Sequence, residues 1–283
     1  MAPTSDVRTT NLFISCHETP AMLTTIASFG LIARDLDRSL ELTSQQPTVS
    51  RETAYYLENI TSIKSADEFV DDDRLFRYAM TAHGLEEMSY AKAFMRKVLN
   101  EGVDASDSFA NGLADQRYRD FAETFNFARY GETATAFTRT QQGTADLYIR
   151  QTMEIDAGNE NEGVRLALYF QRKAPELTSV FGILADRAML EVVQTALSIP
   201  PEASLQDIDR QAEAIGNRID LEDFKDPEKL GRFLQQFSAL WDIKSPQANT
   251  SASVPSISIG APIQYGLSSS LLTQIQGLKI GNR

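Results

Sequence analysis

From Met22 to Trp241 the apolar residues recur at three- and four-residue steps, and no stretch of five or more alternates apolar with polar before Ser251. A chain patterned this way buries its apolar groups on helix faces, because a strand would place every second side chain on one side. The period therefore predicts an all-α fold, a bundle-like array of many helices, over residues 22–242. Ile26, Phe29, Ala33, Leu36 and Leu40 form the first stripe, with Ile32 widening it.

Punctuation residues divide the rest. Pro47 suits the first turn of a second helix. Ser65 and Glu68 have capping-box spacing, and the acidic run Asp71-Asp72-Asp73 is placed to cap a helix from Arg74 to His83 that Gly84 ends. Further helices are expected over Met88–Asn100 (closed by Gly102), Ser106–Leu113 and Gln116–Phe127, with one long helix from Thr133 to about Ile155. In the next, Gly163–Lys173, Leu166, Tyr169 and Phe170 share a stripe while Arg165, Arg172 and Lys173 stay solvated. Four more follow, over Pro175–Leu184, Arg187–Leu197, Leu205–Arg218 and Pro227–Trp241.

A faint internal repeat runs through this series. Asp73 opens a helix, Val103-Asp104 precedes Phe109, and Phe121 and Phe125 follow. Asp186, Ile219-Asp220, Phe224, Phe233 and Phe237 repeat the order at offsets of 112 to 116 residues. Two similar helical halves, about 65–130 and 180–242, would explain it. So would independent recurrence of Asp caps and buried Phe, and the pattern alone does not choose.

The ends differ in texture. Residues 1–21 lack helical periodicity and are expected to form a disordered N-terminal extension. Residues 243–283 are expected to be a flexible tail, rich in Ser, Pro and Gly until about 270. There Leu271, Leu272, Ile275, Leu278 and Ile280 return at helical spacing, so a short amphipathic helix over 270–280 is the expected partner-binding element, through Leu271, Leu272, Ile275 and Leu278.

Equipment for chemistry is sparse. Of 283 residues two are histidines, His17 and His83, and one is a cysteine, Cys16. Cys16 and His17 are too few ligands for a zinc site. His83 sits at a predicted helix end, where the dipole favours a histidine. The Asp71–Asp73 run lacks the Gly and Glu of a calcium loop, and neither GxGxxG nor GK[ST] occurs. The densest carboxylate stretch, Glu154 to Glu162, reads as a solvated helix-joining loop or as interhelical hydrogen bonding before it reads as an acid–base pair. No cofactor and no metal are expected, and an enzyme is not. A net charge of −12 argues against nucleic acid, and no run is long and apolar enough to span a membrane. Protein partners are expected, in the cytoplasm or after export without a cleaved signal.

Several stretches resemble the bacterial family called domain of unknown function 1217. They include LTTIASFGLIARDLDRSLELTSQQP from Leu23, RETAYYLENITSIKSADEFVDDDRLFRYAMTAHGL from Arg51, AFMRKVLNEGVD from Ala93 and FANGLADQRYRDFAETFNF from Phe109. NEGVRLALYFQRKAPE from Asn161, ILADRAMLEVVQTAL from Ile183 and DPEKLGRFLQQFSALWD from Asp226 complete them. The resemblance covers about Leu23 to Asp242. It implies an all-helical fold and an association with the bacterial flagellum, and it brings no catalytic residues. A structural, assembly or protein-binding role in motility is the expectation. The alternatives are a cytoplasmic regulator or chaperone-like binder of flagellar subunits, and an enzyme with an unrecognised acidic site. Period and resemblance both begin after Met22, which suggests that the functional polypeptide starts there.

Overall fold

The computed structural model describes residues 23–245. Leu271, Leu272, Ile275, Leu278, Cys16 and His17 lie outside them, as do the expected N-terminal extension and nearly all of the tail. Among the described residues there are fourteen α-helices and no strand. The first three are α1 (Thr25–Arg34), α2 (Leu36–Ser44) and α3 (Pro47–Asn59), and a 3-10 turn, Ile60–Ser62, leads to α4 (Ala66–Asp71) and α5 (Asp73–Ala82). Then come α6 (Lys92–Glu101), α7 (Gln116–Thr124), α8 (Phe127–Tyr130), α9 (Gln142–Glu160) and α10 (Glu162–Lys173). After the 3-10 turn Ala174–Glu176, the chain forms α11 (Val180–Ala185), α12 (Arg187–Ala196), α13 (Ile208–Gly216) and α14 (Pro227–Lys244).

Sequence signals account for many of the boundaries. The Ser65 hydroxyl accepts from the Glu68 amide at 3.1 Å, while the Glu68 carboxylate reaches back to the Lys64 amide at 2.8 Å. Asp72, rather than Asp73, caps α5, accepting from the amides of Arg74 and Leu75. Elsewhere side chains divide what the period joins. The first stripe is two helices, because Asp35 leaves the helical region and caps α2 through the Arg38 amide. The expected helix from Thr133 begins only at Gln142. Before it, threonine hydroxyls bond the backbone instead of continuing a helix: Thr140 to the Phe137 carbonyl, Thr135 to the Ile63 carbonyl. Residues 88–91, 106–113 and 205–207 are likewise 3-10 or irregular where helix was expected.

Element spacing makes the repeat far sharper than the sequence pattern did. Adding 114 carries the 3-10 turn Ile60–Ser62 onto Ala174–Glu176, α4 onto α11 and α5 onto α12, boundary for boundary. The same offset pairs buried Tyr56 with Phe170, Phe69 with Ile183, Leu75 with Met189 and Ala79 with Val193. It pairs Asp72 with Asp186, which caps α12 through the amides of Ala188 and Met189. It also pairs Gly84 with Ser198, the one described non-glycine residue at positive φ. Each is followed by an amide bonded five residues back, Leu85 to Met80 and Ile199 to Gln194, so the same stop motif closes both helices. The correspondence starts at α3 and α10, earlier than the sequence suggested. Contacts repeat too: α3 packs on α5 as α10 does on α12, and α4 on α6 as α11 on α13.

Each half has its own aromatic centre. In the first, Phe69 lies 4.7 Å from Phe125 and 5.9 Å from Phe76, ring centroid to centroid. In the second, Phe170 meets Phe224 at 5.2 Å and Phe233 at 5.4 Å. Phe29 of α1 belongs to the second core. Helix α9 serves both: Tyr148 stacks on Tyr78 at 3.9 Å, and one turn on Met153 enters the second core. Serving two cores from different sides leaves α9 without a single apolar stripe.

Candidate docking face and the seam between the halves

The two halves meet along a polar seam. Glu154 of α9 is 1% exposed. Its Oε1 accepts from Arg150 Nε at 2.8 Å and Arg172 Nε at 3.0 Å, and its Oε2 from Arg172 Nη2 at 2.8 Å. Arg150 also donates to the Leu168 carbonyl at 3.1 Å. Only Asn161 separates α9 from α10, so the carboxylate-rich stretch is helical and Glu154 is enclosed, where a solvated loop was one of the expected readings. Arg172, expected in solvent, closes the triad. Its neighbour Lys173 bridges to Asp120 of α7 at 3.1 Å, and Arg117 donates to the Gly84 carbonyl at 2.6 Å. Both oxygens of Glu154 are thus held by guanidiniums.

His83 corrects another expectation. It does occupy the C-terminal cap of α5, but its ring turns inward, edge-on to Phe121 at 5.2 Å, and its Nε2 is buried without a hydrogen-bond partner. Burial pushes the imidazole down to about 4, against an attraction from Asp120 and with Lys173 and Arg172 reinforcing it. A neutral ring gains nothing from the helix dipole. The unfolded chain takes up the proton near 6.5 and the folded one near 4, so this stability is complete above 6.5 and is lost as pH falls from there to 4. Urea unfolding should therefore lose ground in that window faster for wild type than for His83→Phe, the gap growing by up to about 3 kcal/mol. Parallel curves for the two proteins would refute it.

The outer faces of the halves differ in kind. On the first, Arg96 of α6 pairs with Asp67 of α4 at 3.4 Å and with Asp71, and Lys92 pairs with Asp73 at the start of α5 at 2.5 Å. The corresponding positions on α11 and α13, aligned helix start to helix start, are apolar: Phe181 for Asp67, Ala185 for Asp71, Ile208 for Lys92 and Ala212 for Arg96; only Asp73, at the start of α5, has a charged counterpart, Arg187. Phe181 is 48% exposed, Ile208 55% and nearby Leu205 87%. Beside this face, Leu177, Val180, Gly216, Ile219 and Leu221 floor an open groove of about 630 Å³ edged by Asp220, Glu222 and Lys225. This surface left no mark in the sequence pattern, because its residues fall at ordinary helical spacing. Only alignment of the two halves exposes the exchange of charge for apolar area. Among the described residues no three His, Cys, Asp or Glu side chains are grouped to hold a metal, and no helix is long and apolar enough to cross a membrane.

Residues 82–230, just over half of the chain, match the sequence profile of a family described as protein of unknown function, DUF1217. The chain belongs to this family. The structure is also similar to an X-ray crystal structure of a protein from Agrobacterium tumefaciens, a structural genomics target. The two are 47% identical with a TM-score of 0.73, over 78% of this chain and 94% of that one. Among curated proteins, none matches. The DUF1217 profile takes in Phe181, Ile208, the groove and the buried triad, and leaves out α1 to α4, all of α5 but Ala82, and most of α14.

Proposed function

We propose that this protein is a non-enzymatic, protein-binding component of the bacterial motility apparatus. The observation that supports binding is that Phe181 and Ile208 are apolar and exposed where their counterparts in the first half, Asp67 and Lys92, form ion pairs. Exposed apolar area grouped on one surface signals a place where another protein sits. The enclosed triad adds that the most concentrated charge in the core is engaged in holding α9 to α10. The motility assignment rests on the family resemblance.

The test is genetic. A deletion strain of the native organism should swim poorly in soft agar while growing normally, and the wild-type gene should restore swimming. A gene carrying Phe181→Asp and Ile208→Asp should yield folded protein by circular dichroism yet fail to restore it. Normal swimming of the deletion strain, with normal filaments, counts against a motility role. Full rescue by the double variant counts against this face.

A further inference from the structure

We propose that the groove beside the apolar face receives a basic amphipathic segment of another protein. This rests on the protein-binding reading and names the chemistry of the partner. The lining mixes apolar side chains, Leu177, Val180, Ile219 and Leu221, with polar ones, and Gly216 keeps it open: a Cβ there would meet Val180 in ordinary contact at 3.6 Å, so the site has space for a side chain. The groove is a trough open to solvent rather than an enclosed cavity. A small ligand needs walls that bury most of its surface, whereas a helix laid along a trough buries one apolar face and leaves the other wet.

Charge selects the occupant. Residues 201–225, which carry α13 and much of the groove, hold seven acids against three bases, a third of the whole chain's net charge of −12 in under a tenth of its length. Asp220 and Glu222 stand at the rim, with Lys225 drawn onto Glu222 at 2.6 Å. Such a field raises the local concentration of a cationic segment and repels phosphate-bearing ligands and acidic surfaces. A second copy of this chain brings the same excess of negative charge, so it is disfavoured.

Binding by the full-length protein can be read by fluorescence anisotropy with three labelled peptides: a 16-residue amphipathic helix with Leu on one face and Lys on the other, the same helix with Glu for Lys, and this chain's own residues 267–283. The Lys peptide should bind at least tenfold tighter than the Glu peptide, and more weakly as salt rises. Gly216→Leu, which fills the groove, and Thr178→Lys, an exposed change at its edge, should each weaken the Lys peptide at least tenfold. Glu222→Gln should weaken it several-fold and flatten the salt dependence. If Gly216→Leu does not fold, Thr178→Lys carries the test. Equal binding of Lys and Glu peptides, or no effect of the groove variants, overturns the proposal. So does tenfold tighter binding of the 267–283 peptide, or a dimer in sedimentation that Thr178→Lys dissociates; these assign the groove to the chain's own segment or to a second copy. Loss of swimming in the face variant without peptide binding would leave the protein-binding function standing and remove this partner chemistry.

Discussion

Glu154→Gln should unfold with about 3 kcal/mol less stability than wild type, the lower end of what removing one member of a buried ion pair costs. The side chain keeps its shape, so the loss measures charge. Two guanidiniums, Arg150 and Arg172, now converge on one carboxylate, and the amide can accept from them but cannot neutralise either. Arg150 has little alternative: its side chain is 10% exposed, and its remaining protein partner is the Leu168 carbonyl. In a chain of this size the loss corresponds to a fall in Tm of roughly 6 to 12 °C. The direction of a second variant makes the test specific. Converting the triad to apolar residues of similar size, Arg150→Met with Glu154→Leu and Arg172→Met, should recover most of the loss, because two desolvated cations no longer oppose each other. Thermal and urea unfolding of both proteins decide the matter. If Glu154→Gln melts within a degree of wild type, the triad contributes nothing that water does not replace.

How much of this was legible depends on whether local chemistry or distant packing sets the feature. Asp72, Asp186 and Asp226 cap their helices by accepting from the amides two and three residues on, and a short-range rule finds them. The 3.6-residue period found α5, α10, α12 and α14 within a few residues. The period missed the break at Asp35, because a cap inside a continuous apolar stripe changes the direction of the chain without interrupting the pattern. It also joined residues 133–141 to α9, since nothing in a period records hydroxyls that compete for backbone carbonyls. Long-range contacts were the least legible. Nothing local says that Phe29 packs in the second core, or that Glu154 is enclosed, because a buried charge and a surface charge look the same in one dimension. The apolar face needed an internal comparison, residue against equivalent residue, before ordinary-looking Phe181 and Ile208 stood out.

Gly163→Ala should also destabilise the fold by about 3 kcal/mol, the upper end of the usual cost of forcing an extra carbon into a packed core. A Cβ at this position would run into Cδ1 of Trp241 and lie 2.6 Å from its Nε1, well inside contact distance. Neither neighbour can easily give way. Gly163 is the second residue of α10, and its amide is held by the capping Asn161 side chain at 2.9 Å. The same Asn161 exchanges hydrogen bonds with the buried Thr25 hydroxyl, and the Thr25 amide donates to Asp242, the residue after Trp241. One joint therefore ties α1, α10 and α14, and the indole lies across it as the last buried aromatic of the second core. The extra methyl must shift either the ring or the start of α10, and both movements pull on α1. A double-mutant cycle separates this from a loss of glycine's backbone freedom, which in a helix would favour alanine. Trp241→Leu alone should be costly, as large-to-small core changes are, but added to Gly163→Ala it should cost less than on wild type, since the clash is already relieved. Coupling of 1 kcal/mol or more, in that sense, is expected from residues in direct contact. Additive losses would show that the alanine is harmful for a reason other than the indole.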